Sequence, residues 1–120
     1  MGLLSKPPDG TREKQAASPD GEAVLIHLDG QNLPQEVYEE YDLATLEDQL
    51  IAVVDSSALG EFDGNEVGPT EVVLYLYGPD AEALFAAIAP TLRAYPLCKN
   101  ARVIIRQGGP GAPAHELLLA

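Results

Sequence analysis

The chain has 120 residues, 46% of them apolar and 22% charged, which suits one water-soluble domain with its own core. Lys and Arg number 7 against 19 Asp and Glu, a formal net charge of −12 that excludes a nucleic-acid backbone or an anionic membrane as the main partner. The longest apolar run is far short of a membrane span, and the one cysteine, Cys98, excludes an internal disulfide and any CxxC metal or redox site.

Residues 1–21 (MGLLSKPPDGTREKQAASPDG) are rich in Pro, Gly and Ser and lack apolar periodicity after Leu4. Such a segment buries too little surface to offset its ordering entropy. It reads as a flexible tail ahead of a single domain over 22–120. No charged stretch leads into an apolar run, so no secretory signal is read and the expected location is cytoplasmic. Gly2 is followed by Lys6 where a myristoylation motif wants Ser or Thr.

Glu22–Leu28 (EAVLIHL) is β-branched and apolar and closes on Asp29-Gly30, so it predicts a strand. Gln31–Tyr41 is either a connection or a short helix opened by Pro34. Asp42 then stands as N-cap of a helix over Leu43–Ser56, where Leu43, Leu46, Leu50, Val53 and Val54 recur at helical spacing. Leu59–Val67 is polar, contains Gly, and makes the weakest strand. Glu71–Tyr77 (EVVLYLY) makes the strongest, and Gly78-Pro79 ends it. Asp80 caps a second helix through Ala94, with Leu84, Phe85, Ile88 and Leu92 on one face; Pro90 should kink it or end its regular part. Ala101–Gln107 is a strand, a Gly/Pro loop (GGPGAP) follows, and His115–Leu119 forms a short last strand.

The order β-α-β-β-α-β predicts an α+β fold, a ferredoxin-like βαββαβ sandwich. Its antiparallel sheet carries both helices on one face and an extra C-terminal edge strand; the other face is open. Alternation assigns that face. Val72, Leu74 and Leu76 suit packing under helices, which leaves Val73, Tyr75 and Tyr77 outside. The same logic separates Leu25 and His27 from Val24, Ile26 and Leu28, and Arg102, Ile104 and Arg106 from Val103 and Ile105. His27, Tyr75, Tyr77, Arg102 and Arg106 therefore stand as candidate ligand-binding or interface residues. A half-apolar sheet face suits a homodimer. Its arginines also suit a carboxylate or phosphate ligand, and long side chains can simply lie over a solvated sheet.

Charge is distributed in blocks. No Lys or Arg occurs from Gln15 to Leu92, whereas 15 acids fall between Glu22 and Glu82. Arg93, Lys99, Arg102 and Arg106 all come late. Solubility accounts for an acidic majority surface, and a docking face for a basic protein partner is the sharper reading. Glu61, Asp63, Asn65 and Glu66 form its densest patch. Their spacing fails the calcium-loop pattern, since Glu66 stands where Gly is required and Val72 where the last acid is required, so no metal is expected. Asp63-Gly64 is a hairpin turn signal that competes with Gly68-Pro69; if the strand runs through, its charges guard an edge.

Nucleophilic constellations are poor. His27 and His115 are the only histidines, no catalytic residue set stands out, and no cofactor motif occurs. Lys99 could lower the pKa of Cys98, but no base is in view. EVVLYLYG is not the RNA-recognition pattern, and the loop DGQN lacks the arginine of an acylphosphatase. The stretches YDLATLEDQL, GEFDGNEVG and LYLYGPDAEALFAAIAPTL, with VIIRQGGPGAP, resemble a group of small acidic bacterial proteins without assigned activity. That resemblance covers most of 22–120. It implies a bacterial cytosolic origin and the ferredoxin-like fold, and transfers no catalytic residue. The expected function is a non-enzymatic binding or interaction protein. The alternative is a small-molecule sensor or cofactor-free enzyme with a dimer-closed cleft on the open face.

Overall fold

A computed structural model describes residues 21–108 and 111–119. The tail expected over 1–21 lies, Gly21 apart, outside the described residues. The fold is α+β, with five strands in one sheet and three α-helices. The strands are β1 (Glu22–Asp29), β2 (Glu61–Val67), β3 (Glu71–Gly78), β4 (Arg102–Arg106) and β5 (Ala114–Leu118). The helices are α1 (Gln35–Glu40), α2 (Leu43–Ser57) and α3 (Ala81–Ala94), with a 3-10 turn at Pro96–Cys98. The sheet order is β2-β3-β1-β4-β5, and every neighbouring pair is antiparallel.

The core lies between α2 and α3 and one face of the sheet. Val24, Ile26 and Leu28 from β1, Leu74 and Leu76 from β3, and Val103 and Ile105 from β4 meet Leu46, Leu50 and Val54 of α2 and Leu84, Ile88 and Leu92 of α3. Most of these are wholly buried. Truncating any large one would remove apolar burial and leave a cavity, at about 2–5 kcal/mol.

Helix starts are satisfied in different ways. Asp80 caps α3 through its side chain, which accepts from the Ala83 N–H at 3.1 Å, and Glu22 of β1 accepts from the Ala81 N–H at 2.8 Å. Asp42 occupies the N-cap position of α2 but makes no side-chain cap hydrogen bond. Its carbonyl oxygen instead accepts from the buried Tyr95 hydroxyl at 2.7 Å, tying the start of α2 to the end of α3. Gln31–Tyr41 resolves into a loop and the short α1. Asp29 organises that loop by accepting from the N–H groups of Gln31 and Asn32, and these hold its carboxyl below the usual range.

At two places the sequence leaves alternatives open and the structure selects between them. Pro90 does not end the regular part of α3, which runs on to Ala94. Pro90 is exposed, so the carbonyl that loses its partner there can be hydrated. The Asp63-Gly64 pair is not the hairpin turn. The β2–β3 turn lies at Gly68-Pro69-Thr70, where the Gly68 N–H donates to the Glu71 carbonyl at 2.9 Å. Gly64 sits instead at a β-bulge with φ of +140°, a conformation that suits a residue without Cβ.

Candidate functional site

The face of the sheet away from α2 and α3 is built row by row from the register, because paired residues in adjacent strands point to the same side. One row reads Glu61, Tyr77, Ala23, Arg106, Ala114 from β2 across to β5. The next reads Gly64, Tyr75, Leu25, Ile104, Glu116. The third reads Glu66, Val73, His27, Arg102, Leu118. All five candidates from the sequence, His27, Tyr75, Tyr77, Arg102 and Arg106, thus share one surface. Each is half-buried.

The bulge decides which acids join them. It shifts the pairing between Phe62 and Gly64, so strict alternation breaks inside β2. Glu61 and Glu66 both land on the open face as a result. Asn65 turns to the helix side, where its side-chain amide donates to Glu47 of α2. Asp63 sits at the bulge itself, near enough for its charge to act on Tyr77. The four acidic-patch candidates are therefore divided between the two sides of β2.

Ion pairs and hydrogen bonds order the face. Glu71 lies 3.3 Å from Nδ1 of His27 and 3.5 Å from Arg102, and Arg102 reaches Glu116 at 3.3 Å. These side chains are 42–49% exposed except His27 at 17%, so the network fixes rotamers more than it adds stability. The Tyr75 hydroxyl donates to Glu66 at 2.8 Å. Burial and that carboxylate push the Tyr75 phenol up to about 12. Tyr77 is also raised, by burial first and by the Asp63 charge, with Arg106 opposing. Arg106 donates through Nε to the Gly108 carbonyl at 2.9 Å. Glu71 and Glu116 escaped the sequence reading. Glu71 was accessible by parity, lying two residues from Val73 on the same strand; Glu116 depends on how β5 pairs.

A second feature is a depression of about 330 Å³ at the end of the sheet, lined by Tyr38, Tyr41, Asp42, Leu43, Val67 and Leu97 among others. Two of its polar groups, the Tyr38 hydroxyl and the Asp29 carboxylate, are already engaged. Tyr38 donates to the Asp29 carbonyl at 2.9 Å and accepts from the Leu33 N–H at 3.1 Å. None of the five open-face candidates lies in its wall.

Cys98 is buried, 1% exposed, and burial pushes its thiol up to about 12. This agrees with the inert thiol that the missing base suggested over activation by Lys99: Lys99 is exposed, and desolvation of the thiolate dominates. His115 sits on the helix side of β5, 3.3 Å from Glu82 of α3 and remote from His27. Among the described residues, no group of three or more His, Cys, Asp or Glu is placed to hold a metal ion, and no helix is long and apolar enough to cross a membrane. No protein-family model, curated protein or solved structure matches the chain.

Proposed function

We propose that this chain is a non-catalytic interaction protein of the bacterial cytoplasm, and that its working surface is the open face of the sheet. We read the fold as a ferredoxin-like βαββαβ sandwich extended at one edge by β5. Two features support that reading: the order β2-β3-β1-β4 with antiparallel pairing throughout, and α2 and α3 on one face. A single buried cysteine suits a reducing compartment.

One observation carries the functional reading. The open face sets an apolar and aromatic centre (Leu25, Tyr75, Ile104) between an acidic column on β2 and a basic one on β4. A centre of that kind with a charged margin is the composition of a recognition surface. The sensor or enzyme alternative needs groups free to meet a small molecule. Here Arg102 is held by two carboxylates and Tyr75 by a third.

The test is site-specific photo-crosslinking in cells. A photo-activatable residue at Ile104, on the open face, should give discrete protein adducts, a second copy of the chain included. The same residue at Ala86, exposed on α3, should not. Absence of adducts from position 104, or equal adducts from both positions, would overturn the proposal.

A further inference from the structure

We infer that the occupant of the open face is a second copy of this chain, related by a two-fold axis that runs parallel to the strands between β1 and β3. The inference rests on the reading of that face as an interaction surface and goes beyond it in naming the partner and the contacts.

A face-to-face pairing of two identical sheets is isologous, so each candidate axis dictates which columns meet. An axis perpendicular to the strands lays β2 over β2 and brings Glu61 against Glu66 of the partner subunit. An axis parallel to the strands along β1 lays the β2 acids over the β5 column that holds Glu116. An axis between β1 and β4 sets Arg102 over the partner's His27 and leaves the β2 acids outside. The axis between β1 and β3 differs from all three. It lays β2 over β4 and β3 over β1 in both directions at once.

The rows then match. Glu61 faces the partner's Arg106, and this pair carries the complementarity; Glu66 lies over the partner's Arg102, but Tyr75 already holds the first and Glu71 and Glu116 the second. Tyr77 lies over the row of the partner's Ala23, which is wholly covered by its own neighbours and adds no contact. Tyr75 faces the partner's Leu25, and Gly64 leaves room opposite the partner's Ile104. The charge complementarity occurs twice by symmetry. Here the β2 bulge acquires a purpose: without its parity shift Glu61 and Glu66 could not share this face. Glu71 lies over the partner's Asp29, a like-charged meeting that also occurs twice by symmetry, at the end of the sheet. There Glu71 is already paired with Arg102 and His27, and Asp29 accepts from two backbone N–H groups.

Four strands at about 4.8 Å spacing give a face roughly 19 Å wide. That is a modest interface, so the association should be reversible and visible as a concentration dependence.

The test is sedimentation velocity on the full chain over a concentration series. The wild type should form a dimer that weakens as salt is raised. Glu61→Arg and Arg106→Glu should each weaken it about tenfold or more, and the double variant should restore it. Within one chain these residues stand three strands apart, about 14 Å, beyond the screening length of roughly 8 Å at physiological salt. Restoration therefore reports a contact between copies. Cooperative unfolding of each variant checks that Arg106→Glu, which loses the Gly108 hydrogen bond, still folds. Ile104→Asp, which leaves that bond intact, should by itself give a monomer. A wild type monomeric at every concentration, a dimer indifferent to both reversals, or a double variant no better than the weaker single would overturn the inference. If the wild type is monomeric while position 104 crosslinks to a different protein, the second copy is refuted and the interaction surface stands. If position 104 gives no adduct at all, both fall.

Discussion

Gly60→Ala tests how tightly β2 is seated against β3. A Cβ built on Gly60 stands 2.1 Å from the carbonyl oxygen of Tyr77, and one built on Gly78 stands 2.2 Å from the carbonyl oxygen of Leu59. Ordinary contact begins near 3.4 Å, so the chain must part by more than an ångström. The obstacle is backbone, so no side chain can swing aside. Parting the strands breaks the pairing that begins at Glu61 and Tyr77. Two ladder hydrogen bonds at about 1 kcal/mol each, with a residual overpacking cost of about 1–2 kcal/mol, give a loss of about 3–4 kcal/mol. For a domain of this size that lowers Tm by roughly 10–20 °C. Urea unfolding followed by circular dichroism reads the loss directly, with an unchanged denaturant slope. The geometry adds a coupling term. One opening of this corner relieves both clashes, so Gly60→Ala with Gly78→Ala should cost clearly less than the two singles together. A Gly60→Ala loss below about 0.5 kcal/mol, or strict additivity in the double variant, would refute the reasoning.

The remaining predictions concern titration and reactivity. Phenolate absorbance should show a late phase near pH 12 that Tyr75→Phe removes and Glu66→Gln moves down toward the ordinary value of 10. Because the folded pKa is raised, the stabilisation from the neutral Tyr75 hydroxyl is complete below pH 10 and is lost as pH rises toward about 12, so unfolding should become easier across that window. Cys98 should resist iodoacetamide in the native protein at about pH 8 and react fully in denaturant, since desolvation holds the thiol neutral; rapid native alkylation would contradict its burial.

Much of the scaffold was legible because strong local patterns agreed with tertiary burial. EVVLYLY is β-branched and alternating, and it forms a central strand. Leu46, Leu50 and Val54 recur at helical spacing and are the buried stripe of α2. Parity alone brought His27, Tyr75, Tyr77, Arg102 and Arg106 to one face. The failures lie where pattern carries no parity information. In Glu61–Val67 a glycine bulge reverses the alternation, so Asn65 and Glu66 exchange the sides that a regular strand would give them. The Asn65–Glu47 contact joins an edge strand to a helix, and neither residue type signals the other. Asp42 looked like an ordinary cap because its residue type favours that role. Its carbonyl is used instead by Tyr95, 53 positions away.

The uneven run of charge along the chain acquires meaning only through the topology. The stretch up to Leu92 has no Lys or Arg, and the arginines of the sheet arrive in its fourth strand. Had β4 paired beside β2, Arg102 and Arg106 would have neutralised Glu61 and Glu66 within one copy. Instead β4 pairs with β1 on the far side, and two strands separate the acidic column from the basic one. The separation is too wide for either column to satisfy the other internally. Part of the basic column is balanced locally, since Arg102 is held by Glu71 and Glu116. Glu61 and Arg106 stand three strand spacings apart, about 14 Å, too far to form an ion pair within one copy. A chain of net charge −12 thus folds into a sheet face with one acidic and one basic column, the pattern from which the proposed two-fold pairing is argued.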